Sequence, residues 1–365
     1  MSFDRISRLP NDFLATVISS LNARELVQTC VLSRRWRNLW RSVPSVIFNH
    51  RDFLGDNDDD LESYETSITR FSNFVSNFLS RRDTAIYTNK FVFKCHFYVF
   101  NDPILVEELT EKAINYSIDH NTKDFHLQIT TCNLSLQIPQ RLFESRSLEE
   151  VYFYISDSNG SYKFVPDRVH LPNLRKIHFY RVSFDDENMN KFLSGSPNLK
   201  CLILQGCELD MDAIILNYVE SFSLLNCTFL LPPMRYIPIS ISGPNIRILR
   251  IDGHIPYQLI LTDMPANYVE SVVLSHGISN EFSKVMSVLI GVVNMEICFD
   301  LHFVRMMRRA ENLGAQFENL RFLTLSWSCI LCWLKEICNF LIRCTNLEEL
   351  VLCQTYCDRV HVSRF

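Results

Sequence analysis

The chain has 365 residues, of which 47% are hydrophobic, with a net charge of −5 and a pI of about 6.1. That length allows a sizeable core and two or three domains, while the acidic balance excludes a whole-molecule attraction to phosphate backbones or anionic lipid and leaves any such binding to a local patch. No run approaches the ~18 consecutive apolar residues of a membrane span, and an N-terminus carrying Asp4, Arg5, Arg8 and Asp12 does not read as a secretory leader, so the sequence reads as soluble and intracellular, in the nucleus, the cytoplasm or both.

The first predicted element is a helix opened by Pro10, with Phe13, Leu14, Val17, Ile18 and Leu21 on one apolar stripe and Asp12 in its first turn. A second helix, about 23–31, should bury Leu26, Cys30 and Val31. Ser33 is placed to cap a third, on which Trp36, Leu39 and Trp40 share a face while Arg34, Arg35, Arg37 and Arg41 stay wet. Three helices in about 45 residues are marginal alone, so a partner or an adjoining domain should complete their core. Four arginines over eight residues could also contact phosphate, as in a DNA-reading helix pair. Faces that include two tryptophans are poor base readers, however, and no second basic surface lies nearby in sequence.

The run "LP…DFL…ISSL…VLSRRWRNLW" resembles the F-box, which docks a protein onto the Skp adaptor of a cullin–RING ubiquitin ligase. The resemblance is carried by Leu9, Pro10, Leu14, Ile18, Leu21, Val31, Leu32, Ser33, Trp36, Leu39 and Trp40, and it implies that these positions form the adaptor interface, with Trp36 at its centre. One departure is Asn22, where many plant members have Pro. It predicts a less sharply ended first helix and weaker adaptor binding.

Residues 51–65 hold a dense acidic stretch that reads as a solvated tether, since the calcium-loop spacing is absent around Asp56, Asp58 and Asp60. A helix follows with Phe71, Phe74, Val75, Phe78 and Leu79 on one face, then the strand "KFVFKCHFYVF", a second amphipathic helix "ILVEELTEKAINYSIDH" and the weak strand "NTKDFHLQI". This order is similar to the segment joining the F-box to the repeats in plant F-box proteins, where it would cap the open end of a stack.

From residue 148 a frame of apolar-x-x-apolar-x-apolar recurs nine times: at Leu148, Leu174, Leu199, Val219, Ile246, Val269, Val292, Leu320 and Leu347, at spacings of 20 to 28 residues. "NYVES" occurs twice, fifty residues apart. Asn precedes the frame at Asn173, Asn198, Asn245, Asn319 and Asn346, three of these after a proline, which marks the end of a connecting segment and the start of a short strand. Units this short cannot bury their own apolar faces and must stack. The pattern resembles irregular plant-type leucine-rich repeats over roughly residues 120–352. An ordinary α/β domain has no reason to repeat Pro-Asn-Leu in this way. Each unit is expected to be a strand, a loop, a connecting helix or irregular segment, and a turn. Residues 317–365 have a partial likeness to the FBD region of such proteins, and with the chain stopping at Phe365, soon after the last frame, a full FBD domain is not expected.

Catalytic and metal motifs are absent from the sequence. The ten histidines fall in no zincin, nucleophile-elbow or P-loop context, and nine glycines leave little for a phosphate cradle. Six cysteines between Cys329 and Cys357, including "CILC", lack the paired spacing of a zinc site and read as buried thiols.

The expectation is therefore an α/β protein with an N-terminal three-helix F-box (1–49), an acidic linker and helix-strand-helix cap (50–119), and a curved leucine-rich-repeat solenoid with a parallel strand face (120–365). It would be non-catalytic, with no cofactor, no metal, and neither nucleic acid nor membrane as partner. It would serve as the substrate receptor of an SCF-type ligase, binding the Skp adaptor and an unknown target. Residues between the frame positions, such as His178, Tyr180 and Gln205, would line the arc, but the sequence does not assign the target-binding residues. The alternatives are a repeat module whose F-box has lost adaptor binding, and a small-molecule co-receptor, for which the arc is short.

Overall fold

The computed structural model describes residues 9–54, 61–96, 103–131, 136–157, 160–230, 239–253, 259–264, 269–275, 288–299, 314–327, 334–356 and 359–364. The chain is mixed α/β, dominated by parallel strands, and divides into two compact units: residues 1–181 with 194–197, and residues 182–193 with 198–365.

The first unit begins with α1 (Asn11–Ile18), α2 (Ala23–Gln28) and two 3-10 helices, Thr29–Val31 and Trp36–Ser42. Directly after them come β1 (Ser45–Asn49), α3 (Leu61–Ser80), β2 (Lys90–His96), α4 (Pro103–Asp119), β3 (Asp124–Thr131), β4 (Glu150–Asp157), β5 (Gly160–Lys163) and β6 (Lys176–Tyr180). Strands β1, β2, β3, β4 and β6 form one parallel ladder with Phe48, Phe93, Leu127, Phe153 and Phe179 in register. Because strand side chains alternate, these residues and the parallel row Val46, Phe91, Phe125, Val151 and Ile177 all point inward and are buried. Their rings meet across strands, Phe48 to Phe91 at 5.9 Å and Phe153 to Phe179 at 5.8 Å. Helix α3 lays Ile68, Phe71, Val75 and Phe78 against this layer, as its 3.6-residue period predicts, with Phe48 to Phe78 at 5.3 Å.

The second unit continues the same logic. Strands β8 (Cys201–Gln205), β11 (Ser221–Leu225), β14 (Ile248–Asp252), β16 (Ser271–Ser275), β17 (Asn294–Phe299), β18 (Phe322–Trp327) and β19 (Glu349–Tyr356) pair in parallel, and β20 (Arg359–Arg364) closes the row antiparallel. Every frame position from Leu148 to Leu325 is buried; only the last frame, Leu347, Leu350 and Leu352, is half-buried.

The connections depart from the expected helix or irregular segment. In the middle repeats they are short strands: β7 (Val182–Asp185), β9 (Glu208–Asp210) and β12 (Thr228–Phe229) form a second parallel row. A third consists of β10 (Ala213–Ile215), β13 (Ile239–Ser242) and β15 (Leu259–Thr262). Helical connections are retained in α5 (Asp186–Gly195) and α6 (Leu334–Leu341). Runs such as "AII" and "ISIS" are too short and too β-branched to hold a helix.

Two devices keep the repeats in step. The recurring Asn does more than accept a turn: Asn173, Asn245 and Asn346 each donate a side-chain N–H to a backbone carbonyl one repeat earlier, on Arg146 (2.6 Å), Asn217 (2.6 Å) and Glu318 (2.8 Å). Beside them runs a ladder of opposite charges, Lys123 to Glu149 and Lys200 to Glu220 at 2.8 Å, then Arg247 to Glu270 and Arg321 to Glu348.

Candidate protein-docking site

The N-terminal helices are held by a small number of internal bonds. Pro10 stands at the N-cap of α1 and accepts from the Leu14 N–H. Asn22, expected to blur the end of the first helix, instead caps the second: its side chain accepts from the Glu25 N–H at 2.8 Å, and the Glu25 carboxylate accepts from the Asn22 N–H at 2.9 Å. That reciprocal box satisfies two of the orphan donors at a helix start.

The expected faces hold only in part. Leu14 and Ile18 are buried, as are Leu26, Trp36, Leu39 and Trp40, and Leu21 is half-buried. Phe13 and Val17, expected on the buried stripe, are 64% and 63% exposed, because two rows four residues apart and about 100° from each other cannot both face one narrow core. Val31, expected to be buried, is 87% exposed. Helix α2 gives way to a tighter 3-10 turn after Gln28, which changes the face that Val31 presents. The third helix is also 3-10, begins at Trp36 and has no side-chain cap; Ser33 contributes its carbonyl to the Trp36 N–H.

Trp40 finds its apolar partner inside the chain. Trp40 lies 4.8 Å from Phe78 of α3 and donates its indole N–H to the Arg37 carbonyl. Arg82 locks this junction from beneath, donating to the carbonyls of Trp40 (3.4 Å) and Val43 (2.6 Å) and to the Tyr116 hydroxyl (2.8 Å). Burial pulls its pKa below the ordinary value, with Tyr116 opposing. The helical segment is therefore anchored to α3, α4 and the strand ladder that starts at Ser45.

What remains outside is an unusual concentration of large apolar side chains: Phe13, Val17, Val31 and Leu32 (64% exposed), together with Leu9. The Arg35 guanidinium donates to the Leu9 carbonyl, tying the start of α1 to the turn after Leu32. Pro10, Ser33, Arg34, Arg35, Arg37 and Arg41 are exposed around them. Of the expected interface positions, Leu9, Pro10, Val31, Leu32 and Ser33 thus lie on the surface. Leu14, Ile18, Trp36, Leu39 and Trp40 are buried in the single chain, and Leu21 is half-buried. Phe13 and Val17 are the surface residues that periodicity alone assigned to the core.

On the strand side, His178 and Tyr180 lie half-exposed on the outward face of β6, and Gln205 holds the outward position on β8. Asp56, Asp58, Asp60, Cys329, Cys332 and Cys357 lie outside the described residues. Among the described residues, no His/Cys/Asp/Glu group is arranged to hold a metal, and no helix is long and apolar enough to cross a membrane. Burial pushes the Cys344 thiol up to about 12.

The F-box domain family matches residues 6–48, and the family "FBD-associated F-box protein At5g56370, LRR repeats" matches residues 111–231. Among curated proteins, the chain is similar to F-box/LRR-repeat protein 13 of Arabidopsis thaliana, 25% identical over 96% of this chain and 76% of the relative. It is also similar to F-box/FBD/LRR-repeat protein At4g26340 (24%, covering 82% and 66%) and FBD-associated F-box protein At4g13985 (24%, covering 96% and 76%) of the same plant. The chain thus spans two thirds to three quarters of the length of these relatives. The chain thus carries a match to the F-box domain followed by a match to leucine-rich repeats, and it is similar to F-box/LRR-repeat proteins of Arabidopsis thaliana.

Proposed function

We propose that this chain is the substrate-recognition subunit of an SCF-type ubiquitin ligase, in which residues 1–49 form the three-helix F-box that docks on the Skp adaptor, residues 50–119 cap the stack, and a curved repeat solenoid over 120–365 holds a target protein. The carrying observation is the exposed apolar set Leu9, Phe13, Val17, Val31 and Leu32 inside the segment that matches the F-box. Side chains of this size are left in water where a partner covers them. Pro10 and Ser33 border that contact, and Leu14, Ile18, Leu21, Trp36, Leu39 and Trp40 act in adaptor binding by holding it in shape. The protein performs no chemistry itself: holding a target lysine near a charged ubiquitin-conjugating enzyme raises its effective concentration. Such a subunit works in the nucleus, the cytoplasm or both.

The test is co-purification with a Skp adaptor. Val31→Glu with Leu32→Glu should abolish retention while the thermal midpoint stays within a few degrees. Trp36→Ala should lower the midpoint and weaken retention together. If the wild type retains no adaptor, the chain is a repeat interaction module without ligase assembly.

A further inference from the structure

The outward face of the first unit's ladder carries a cluster that the architecture does not require. Along one register row stand Ile47, Val92, His126, Tyr152 and His178, and along the next Asn49, Lys94, Gln128, Tyr154 and Tyr180. The rings are in contact: Tyr154 stacks on Tyr180 at 4.4 Å, Tyr152 meets His178 edge-on at 4.8 Å, and His126 lies 5.6 Å from Tyr152. The five rings are half-exposed, while Val92 in the same row is buried. Burial and the neighbouring Tyr154 and Tyr180 hold the Tyr152 hydroxyl above its ordinary pKa, so the three phenols are close together. Tyrosine offers a large, rigid surface at small entropic cost, which suits it to recognition.

The two edges of this platform differ in charge. On one edge, the carboxylates already have partners within the chain: Asp124 faces Lys90 (2.8 Å) and the His126 ring (2.7 Å), and Glu150 faces Lys176 (3.7 Å). Among the described residues, the other edge carries Arg51, Lys94 and Arg181, with the Asp52 carboxylate also there, 3.5 Å from the Asn49 amide. Burial, then the positive charges of Arg51 and Lys94, hold the His96 imidazole below its ordinary value, and Arg181 extends over the same rim to donate to the Ser156 hydroxyl at 3.1 Å. His96 and Ser156 each stand in register with Thr130.

The backbone at Arg181 supplies an independent sign. The residue directly after the ladder strand takes a left-handed turn in several repeats, and there the chain has Gly206 (φ 58°), Asn226 (φ 50°) and Gly253 (φ 109°). These are residue types that tolerate the conformation. The repeat of β6 instead has Arg181, at φ 54°. A branched-charge side chain retained in a strained position, in a chain that is acidic overall, fits a functional use of its charge.

We propose that this face is the target-docking site and that its occupant is an acidic, extended peptide segment of the target protein, whose carboxylates meet Arg51, Lys94 and Arg181 while an apolar side chain lies on the Tyr154 and Tyr180 rings. The proposal rests on the receptor reading above and names the class of target. Five strands about 4.8 Å apart span roughly 19 Å, the length of about six extended residues.

The experiment is selection of a displayed random dodecapeptide library on the immobilised full chain, followed by affinity measurement of the enriched peptides. Enriched sequences should be acidic with an aromatic or aliphatic residue. Their affinity should fall at least tenfold in Tyr154→Ser with Tyr180→Ser and in Lys94→Glu, and also as salt rises from about 0.05 to 0.3 M. Arg181→Gln, which changes an exposed side chain, should weaken binding several-fold and guards against a misfolded variant. No enrichment, enrichment of basic peptides, or variants that bind as wild type does would overturn the proposal. Skp adaptor retention, measured on the same samples, separates the two readings: peptide binding without adaptor retention removes the ligase reading and leaves this face standing, and the converse removes only this face.

Discussion

The two units use the same inward residues and different outward ones. In the first, the central outward row reads Val92, His126, Tyr152, His178; in the second, the corresponding row reads Ile203, Ser223, Arg250, Val273, Glu296, Thr324, Val351. Inside, both carry an unbroken apolar frame. Because each strand side chain belongs to one face only, the inner row can be held constant for stacking while the outer row varies freely. Stacked strands of this kind leave the outward row free of the packing that fixes the inner one. The ring cluster is confined to one stretch, so recognition is expected to be local as well.

The sharpest way to break that comparison is to exchange the effects. Phe179→Ala in the first unit and Ile251→Ala in the second remove fully packed frame residues, and each should cost about 3–5 kcal/mol by cavity formation. Val273→Thr, an outward half-buried position, should stay within about 0.5 kcal/mol. Urea denaturation checks all three. An outward substitution as costly as an inward one would show that the two faces are not independent.

A smaller loss is expected where the helical segment joins the ladder. Arg82→Met keeps most of the aliphatic volume but leaves the carbonyls of Trp40 and Val43 and the Tyr116 hydroxyl without their donor. Unsatisfied buried groups cost about 1–3 kcal/mol each, partly relieved by water, so a net loss of about 3 kcal/mol is expected. The midpoint should drop, and hydrogen exchange of residues around Trp36–Ser42 should accelerate more than that of β16 or β17. Uniform acceleration would mean that Arg82 stabilises the chain generally and not this junction.

The legible part of the molecule was the part with a period. Nine frames, an Asn before five of them and two copies of "NYVES" predicted strands in phase, and the strands are there, because burial of a two-residue alternation leaves its mark on composition. The role of the Asn was less legible. Its turn preference is local, while the amide bridge to the preceding repeat joins residues 28 apart. The short strands of the connections were hidden for a similar reason, since two or three residues of "AII" or "TF" have no period to detect and are set by the neighbouring repeat. In the N-terminal helices, periodicity identified the helix but not which apolar row is covered. Phe13 and Leu14 are equally hydrophobic in sequence, and only the packing of α1 against the Trp36–Ser42 helix separates them. The packing of Trp40 was hidden in the same way: α3 supplies Phe78 from 38 residues away, a partner that no local pattern could name.

Arg181 gives the finest test of whether recognition and stability are separate, because there they conflict. The left-handed turn favours glycine, as at Gly206 and Gly253, so Arg181→Gly should relieve strain and raise stability by up to about 1 kcal/mol, although it removes the side-chain bond to Ser156 among the contacts of Arg181. The same change removes a cation from the rim and should weaken peptide binding. Asn226→Gly, at the equivalent turn of the second unit, should give a smaller gain, since asparagine already tolerates the conformation, and should leave binding unchanged. A chain shaped for stability alone would carry glycine at both places. If Arg181→Gly proves more stable and less able to bind, the arginine is there for the face it serves; if it proves less stable, the bond to Ser156 outweighs the strain and Arg181 is a structural residue like its neighbours.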